Sequence, residues 1–406
     1  MTVSEANLYY DPYDALIDAD PYPVWKRLRD EAPVYHNERY DFWALTRYDD
    51  VLTGLLDWET FSSARGILLE AIDTSDEFDP EVGLEGIPPM MIMMDPPRHD
   101  RLRKLVGRAF TPRRVGLLED RVRELCADFL DPHRGGDTFD YMAECGSKVP
   151  AIMIGALMGV PIEEQDEVRR QIDLMMRYEE ELTTDKLDGI GFLSRYIQQL
   201  VNARRKEPAD DMISDLLAVE AEVDDDGATS PLTNDEVVGF ANLLIAAGTE
   251  TTARLIGWSL VLLARHPEQR RILLDDPGVL PNAIDELLRY EAPSPIQSRY
   301  VTRDFERHGV TIPAGARVAL LNGSADRDER HFPDADRFDV RRKIDRHLAF
   351  GYGLHFCIGA ALARLEGRIV LEETLARFPD WEVDESSVQL VRTSTVRGPE
   401  SLQFHG

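Results

Sequence analysis

The sequence predicts a mainly α-helical chain with small β-sheets, an α+β fold, and three observations carry that expectation. Amphipathic segments of helical period recur from residue 22 to residue 377, β-branched runs are few and short, and residues 233 to 265 run helical without a proline. A length of 406 residues allows two or three domains, yet no repeat divides the chain. Its most linker-like stretch, EVDDDGATSPLT at 222 to 233, reads as an acidic surface loop, so one domain over 1–406 is expected.

Composition removes several function classes. With 75 acidic against 46 basic residues the net charge is −29, which argues against nucleic acid or an anionic membrane as partner. Cys126, Cys145 and Cys357 are widely spaced and odd in number, leaving neither a disulfide framework nor a Cys-x-x-Cys zinc site, and they suit a reducing cytoplasm. The N-terminal stretch has no basic n-region or apolar h-region. The longest apolar runs, VPAIMIGALMGVP and LIGWSLVLLA, are too short to span a bilayer.

In chain order, residues 22 to 31 form the first amphipathic helix, and VYHNERYDFWALTRY after it reads as a hairpin. PPMMIMMD at 88 to 95 sets four methionines in five residues, a polarisable lining for a bulky apolar guest or plain core filler. Further helices are expected at 99 to 110, 113 to 130, 163 to 181 and 188 to 205. Positions 98 to 114 hold seven Arg or Lys against one acid, Asp100. His99 and Arg103, four apart, stand at the edge of an apolar face where two donors suit a half-buried anion, although a solvated basic face explains the outward arginines equally.

Thr233 and Glu236 have capping-box spacing and open the long helix. In its middle stands AAGTETT, residues 246 to 252, where a glycine and three threonines are poor helix formers. Such local violations tend to mark functional sites, and Gly248, Thr251 and Thr252 fall on one face with Ala247 beside them. Close helix packing through small residues, with threonines bonding back to their own helix, is the competing reading. In the helix at 279 to 290, Ile284, Leu287 and Leu288 form the apolar stripe, so periodicity puts Glu286 and Arg289 on the solvent side as an i,i+3 pair. SRYVTRDFERHGVTIPAGARVALL, from Ser298, supplies short strands separated by turns, and a last helix covers 358 to 377.

AFGYGLHFCIGAALAR, residues 349 to 364, sets glycines at 351, 353 and 359 around Cys357. A dinucleotide loop would need its third glycine at 356, where Phe356 stands. The helix that follows favours thiolate over thiol at its N-terminus. A nucleophile needs an orienting base, which His355 is badly placed to be, and zinc needs more sulfur or imidazole ligands. One thiolate for one metal, with glycines admitting a flat group, fits an axial haem ligand; an isolated cysteine is otherwise inert core.

Together these segments resemble the cytochrome P450 superfamily of haem-thiolate monooxygenases in its soluble bacterial form, over essentially the whole chain. The family signature F-G-x-G-x-H-x-C-x-G-x-x-L-A-R is met by Phe350, Gly351, Gly353, His355, Cys357, Gly359, Leu362, Ala363 and Arg364. Ala247, Gly248, Glu250 and Thr251 match the long-helix signature, and Glu286 with Arg289 the Glu-x-x-Arg. The resemblance implies a helix-rich prism with a long central helix over haem b. Cys357 would be the proximal iron ligand, Phe350 would shield its sulfur, Gly351 and Gly353 would shape the loop, and Gly359 would let the next helix lie close. His99, Arg103, Arg299 and His355 would bind the haem propionates. Glu286 and Arg289 would be a buried structural pair, against the periodicity. Glu250 and Thr251 would relay protons, with Gly248 making room for oxygen. Met91, Met93, Leu244, Ala247, Ile296 and Val396 would line the substrate pocket.

The implied reaction puts one atom of dioxygen into a lipophilic small molecule, with electrons from a soluble ferredoxin and its reductase. The outward arginines of the 98 to 114 segment, Arg101, Arg113 and Arg114 among them, with Arg341, Arg342, Lys343 and Arg346, would form the basic docking face. A haem-thiolate sensor would not need Glu250 and Thr251, and a haem-free cysteine hydrolase would need a base beside Cys357.

Overall fold

The structure, a computed structural model, describes residues 8–79, 83, 89–109, 115–116, 118–165, 167–168, 170–171, 184–219, 222–223, 229–391 and 393–406. In chain order its labelled helices are α1 (Tyr22–Glu31), α2 (Tyr48–Leu56), α3 (Arg98–Ala109), α4 (Glu119–Leu130), α5 (Lys148–Met158), α6 (Thr184–Lys206) and α7 (Met212–Ala218). They continue with α8 (Asn234–Arg265), α9 (Pro267–Asp275), α10 (Leu280–Tyr290) and α11 (Ala360–Arg377). The strands are β1 (Val34–Asn37), β2 (Phe42–Leu45), β3 (Phe61–Ser62), β4 (Thr138–Asp140), β5 (Glu222–Val223) and β6 (Thr229–Ser230). After them come β7 (Gln297–Val301), β8 (Phe305–Arg307), β9 (Val310–Ile312), β10 (Arg317–Leu320), β11 (Glu382–Leu390) and β12 (Pro399–His405).

The helix-rich class with small sheets is as the sequence predicts. A five-stranded sheet runs β1-β2-β10-β7-β3, parallel at β2 and β10 and antiparallel elsewhere. A second sheet, β11-β12-β4, is antiparallel and was not foreseen, since no strand is expected after residue 377. The 222 to 233 stretch holds the short antiparallel pair β5 and β6 instead of loop alone. Of the helix expected at 163 to 181, Ile162–Glu164 forms a 3-10 turn and residues 172–183 lie outside the described residues. Among the described residues no helix is long and apolar enough to cross a membrane.

The long helix α8 starts where the capping box puts it: Thr233 accepts from the Glu236 N–H, and Glu236 returns the bond. Two apolar cores share it. Its first half, Val237 to Ile245, packs with residues of α3, α5, α6 and α7, while its second half, Ala253 to Leu263, packs with α4, α10, α11 and the second sheet. Residues 246–252 lie between the two cores. Burial along α8 follows that division, with Ala247 exposed and Gly248 and Thr251 half-buried.

Periodicity misplaces Glu286 and Arg289, both of which are fully buried. Arg289 Nε and Nη2 lie 2.6 and 2.9 Å from the two Glu286 oxygens, and Arg289 Nη1 donates to the Asp326 and Ala335 carbonyls at 2.8 and 2.9 Å. Glu286 Oε1 also accepts from the Asp339 N–H and from Arg342. α10 shows polar residues on its inner face because the loop of residues 326–342 brings carbonyls and amides to satisfy them.

Candidate functional site

The segment between β10 and α11 positions Cys357. Leu348 N–H donates to Asp326 Oδ1 at 2.7 Å, Gly351 N–H to the Leu348 carbonyl at 2.8 Å, and Cys357 N–H to the Phe350 carbonyl at 2.9 Å. Gly351 and Gly353 have φ of +66° and +69°, and a Cβ on Gly353 would sit 2.9 Å from the Leu55 carbonyl oxygen. Only glycine meets both demands at position 353. A Cβ on Gly359 would rest 3.8 Å from the Cys357 sulfur, so the glycine keeps that side of Sγ bare. Arg364 lies 4.5 Å over the Phe350 ring and donates to Asp285, which also meets His347. That anchoring by Asp285 escaped the sequence reading.

Two opposing influences act on the Cys357 sulfur. Burial pushes the Cys357 thiol up, outweighing the Gly359 N–H, Arg103 and Arg364, which pull it down. Coordination to a metal is what would deprotonate this sulfur, because a bound cation outweighs the protein's own field.

Four donors from distant parts of the chain meet beside this loop. His99 and Arg103 come from α3, Arg299 from β7 and His355 from the turn before Cys357. The His99 and His355 rings are 4.5 Å apart, and Arg103 Nη2 donates to the Phe356 carbonyl at 2.7 Å. His99 Nδ1 meets Asp100, but His99 Nε2 and His355 Nε2 are buried without a hydrogen-bond partner among the described residues. Burial, then Arg299, His99 and Arg103, holds His355 down to about 2, and burial lowers Arg299 to about 10 against the pull of Asp95. Among the described residues no carboxylate lies within ion-pair distance of Arg103 or Arg299. Largely buried donors with two orphaned ring nitrogens, and no carboxylate paired with either arginine among the described residues, cost free energy unless an anion completes them. These residues fit a flat metal complex that has a sulfur-seeking iron and carries carboxylates on one edge.

Across α8, Thr251 Oγ1 donates to the Ala247 carbonyl at 2.7 Å and Thr249 Oγ1 to that of Ile245 at 2.9 Å, the back-bonding that the β-branched run suggests. Gly248 is a packing glycine, since a Cβ there would lie 3.1 Å from the Ile154 side chain on α5, and Ala247 is the exposed small residue. Glu250 is buried against Arg254, a partner the sequence reading missed although the i,i+4 spacing was visible.

Of the residues assigned to a pocket, Met91 and Leu244 are buried in the core around the first half of α8, which favours filler. A Cβ on Gly239 would overlap the Pro89 carbonyl oxygen, so this methionine segment is pressed onto the helix. Ile296 packs with Tyr10, Trp25 and Leu28, Val396 is buried in the C-terminal turn, and Met93 is half-buried. Arg101 and Arg342 are corrected as docking residues. Arg101 is bound to Glu236 and the Pro231 carbonyl, and Arg342 to Glu286 and the carbonyls of Pro333, Asp334 and Arg337. Arg341, Lys343 and Arg346 are exposed, while Arg113 and Arg114 lie outside the described residues.

The chain is similar to known proteins along nearly its whole length. The family described as "Cytochrome P450" matches residues 88–276 and 277–404. Cytochrome P450 130 of Mycobacterium tuberculosis is 40% identical over 393 residues, 95% of each chain. A vitamin D(3) 25-hydroxylase of Pseudonocardia autotrophica is 38% identical over 96% of this chain and 94% of its own. The solved structure of cytochrome P450 CYP109Q5 from Chondromyces apiculatus superposes with a TM-score of 0.86 at 36% identity, covering 98% of this chain and 97% of that one.

Proposed function

The chain belongs to the cytochrome P450 family and is a haem-iron P450 monooxygenase, and from that premise we propose how its own residues do the work. Haem b would be held through Cys357, with His99, Arg103, Arg299 and His355 taking its propionates. When bound there, it supplies reductive activation of dioxygen, and a thiolate ligand favours O–O cleavage. The observation that carries the assignment is the group of four donors, with two orphaned imidazole nitrogens, beside the cysteine loop. Phe350, held under the Arg364 guanidinium, covers the approach to the sulfur.

On the α8 side, Thr251 spends its hydroxyl proton on the Ala247 carbonyl, so its oxygen is left to accept a hydrogen bond, and the hydroxyl relays a proton from Glu250 only after rotating off that carbonyl. Ala247 leaves the reacting face clear of side-chain bulk. Gly248 allows α5 to pack closely and thereby fixes the register of that face.

The substrate is an apolar small molecule of sterol or secosteroid size, taken up by Ala247, Ile296, Val396 and Met93. The named vitamin D(3) hydroxylase supports that class. Electrons come from a separate ferredoxin with its reductase, docking on Arg341, Lys343 and Arg346, and the enzyme works in the cytoplasm as one domain.

The deciding experiment is the reduced, carbon-monoxide difference spectrum, with Cys357→Ser as its control. The wild type gives the red-shifted Soret band of thiolate-ligated haem and the variant loses it. An unshifted band in the wild type would refute the ligand assignment. A ligand screen for the low-spin to high-spin change then tests the sterol class.

A further inference from the structure

Glu250 and Arg254 stand one turn apart on α8, each side chain 4% exposed. Arg254 Nη2 and Nε both bond to the same carboxylate oxygen, Oε2, at 2.5 and 3.2 Å. Its third arm, Nη1, goes to the Pro399 carbonyl. Among the described residues Oε1 takes no hydrogen bond, and the buried acid is therefore held at one oxygen only.

The guanidinium is itself fixed from outside the helix. A Cβ on Gly398 would lie 2.5 Å from Arg254 Cβ and 3.1 Å from Trp258 Nε1, and Trp258 donates to the Arg397 carbonyl at 3.2 Å. The turn 397–399 is thus pinned onto α8 at two residues four apart. The same turn follows Val396. Glu250, in turn, lies three residues from Ala247 and next to Thr251, on the edge of the exposed face.

We propose that Arg254 is a positioning residue for the monooxygenase reaction: it anchors Glu250 through Oε2, leaves Oε1 as the oxygen that exchanges protons, and ties that arrangement to the C-terminal turn. The proposal rests on the reading of Glu250 as the relay acid. A full guanidinium clamp on both oxygens would silence the acid. No cation at all would leave a buried carboxyl that takes up a proton and turns toward whatever accepts it.

Arg254→Met, Arg254→Lys, Glu250→Gln and the double variant R254M/E250Q, all as haem-loaded protein, test it. In R254M the infrared difference spectrum against wild type shows a new protonated-carboxyl stretch that the double variant lacks. Product formed per dioxygen consumed falls about tenfold, less than the roughly hundredfold or more expected for outright loss of a general acid, with the balance released as hydrogen peroxide. R254K loses only about two- to threefold in coupling, because an ammonium keeps the charge but makes fewer contacts. Wild-type coupling in R254M, or no new carboxyl band, overturns the proposal. Should R254M not fold, R254K decides: a two- to threefold loss of coupling supports the role and an unchanged value overturns it. E250Q separates the two ideas, since unaltered coupling there rejects Glu250 as relay acid whatever Arg254 does.

Discussion

Two buried Glu–Arg pairs lie on two helices of this protein, and they differ in how completely the surrounding chain satisfies them. Glu286 and Arg289 on α10 are saturated: both carboxylate oxygens meet the guanidinium, and the 326–342 loop adds carbonyls, an amide and Arg342. Glu250 and Arg254 on α8 share a single oxygen, beside a helix face left open. Saturation is what a structural pair needs, because every unmet lone pair at zero exposure costs free energy. An acid that must exchange a proton needs one site kept back.

The comparison breaks if the saturated pair proves dispensable, so Arg289→Met should have the largest effect. Leaving Glu286 buried without its cation costs about 3–5 kcal/mol or prevents folding, as read by denaturant titration and haem incorporation. Arg254→Met should cost less stability than Arg289→Met, and a double-mutant cycle over Glu250 and Arg254 should give a coupling of about 1–2 kcal/mol. Equal losses for the two arginines would remove the distinction.

Glu366 on α11 extends the comparison to a carboxyl with no cation beside it among the described residues. It is 1% exposed, and burial alone pushes it up to about 8. The folded chain then holds a proton that the unfolded chain releases above its ordinary value of 4.5. Stability contributed by that carboxyl is present at low pH and is lost as pH rises toward 8, at up to about 1.4 kcal/mol per pH unit. Glu366→Gln should match wild type near pH 5 and exceed it at pH 8, measured as midpoints of chemical denaturation. A parallel loss in both proteins would mean the carboxyl is solvated. The smallest effect belongs to the surface: Lys343→Glu should move stability by less than about 0.5 kcal/mol and yet slow reduction by an acidic ferredoxin at low salt. Unchanged kinetics would exclude that face as the docking surface.

Much of the site was legible because its constraints act on the backbone. Glycines at 351 and 353 are demanded by positive φ, and Thr233 with Glu236 announces the start of α8. Helix α5 escaped notice for the opposite reason. It is buried on most sides, at Val149, Ala151, Met153, Ile154 and Met158, so no polar face marks its period. The strands after residue 377 were missed as well, their register being set by pairing with β4, far away in the chain. Arg101 and Arg342 read as free surface charge because their partners, Glu236 and Glu286, are remote in sequence.

By itself, then, the sequence determined the helical class, the long helix with its weakened middle and the glycine-framed cysteine, all properties of neighbours along the chain. Only the tertiary structure decided that Gly248 serves packing, that Glu286 and Arg289 are dry, and that Glu250 answers to Arg254 and the turn behind it. Burial and hydrogen-bond partnership depend on which distant segments are brought together, and local pattern carries no record of them.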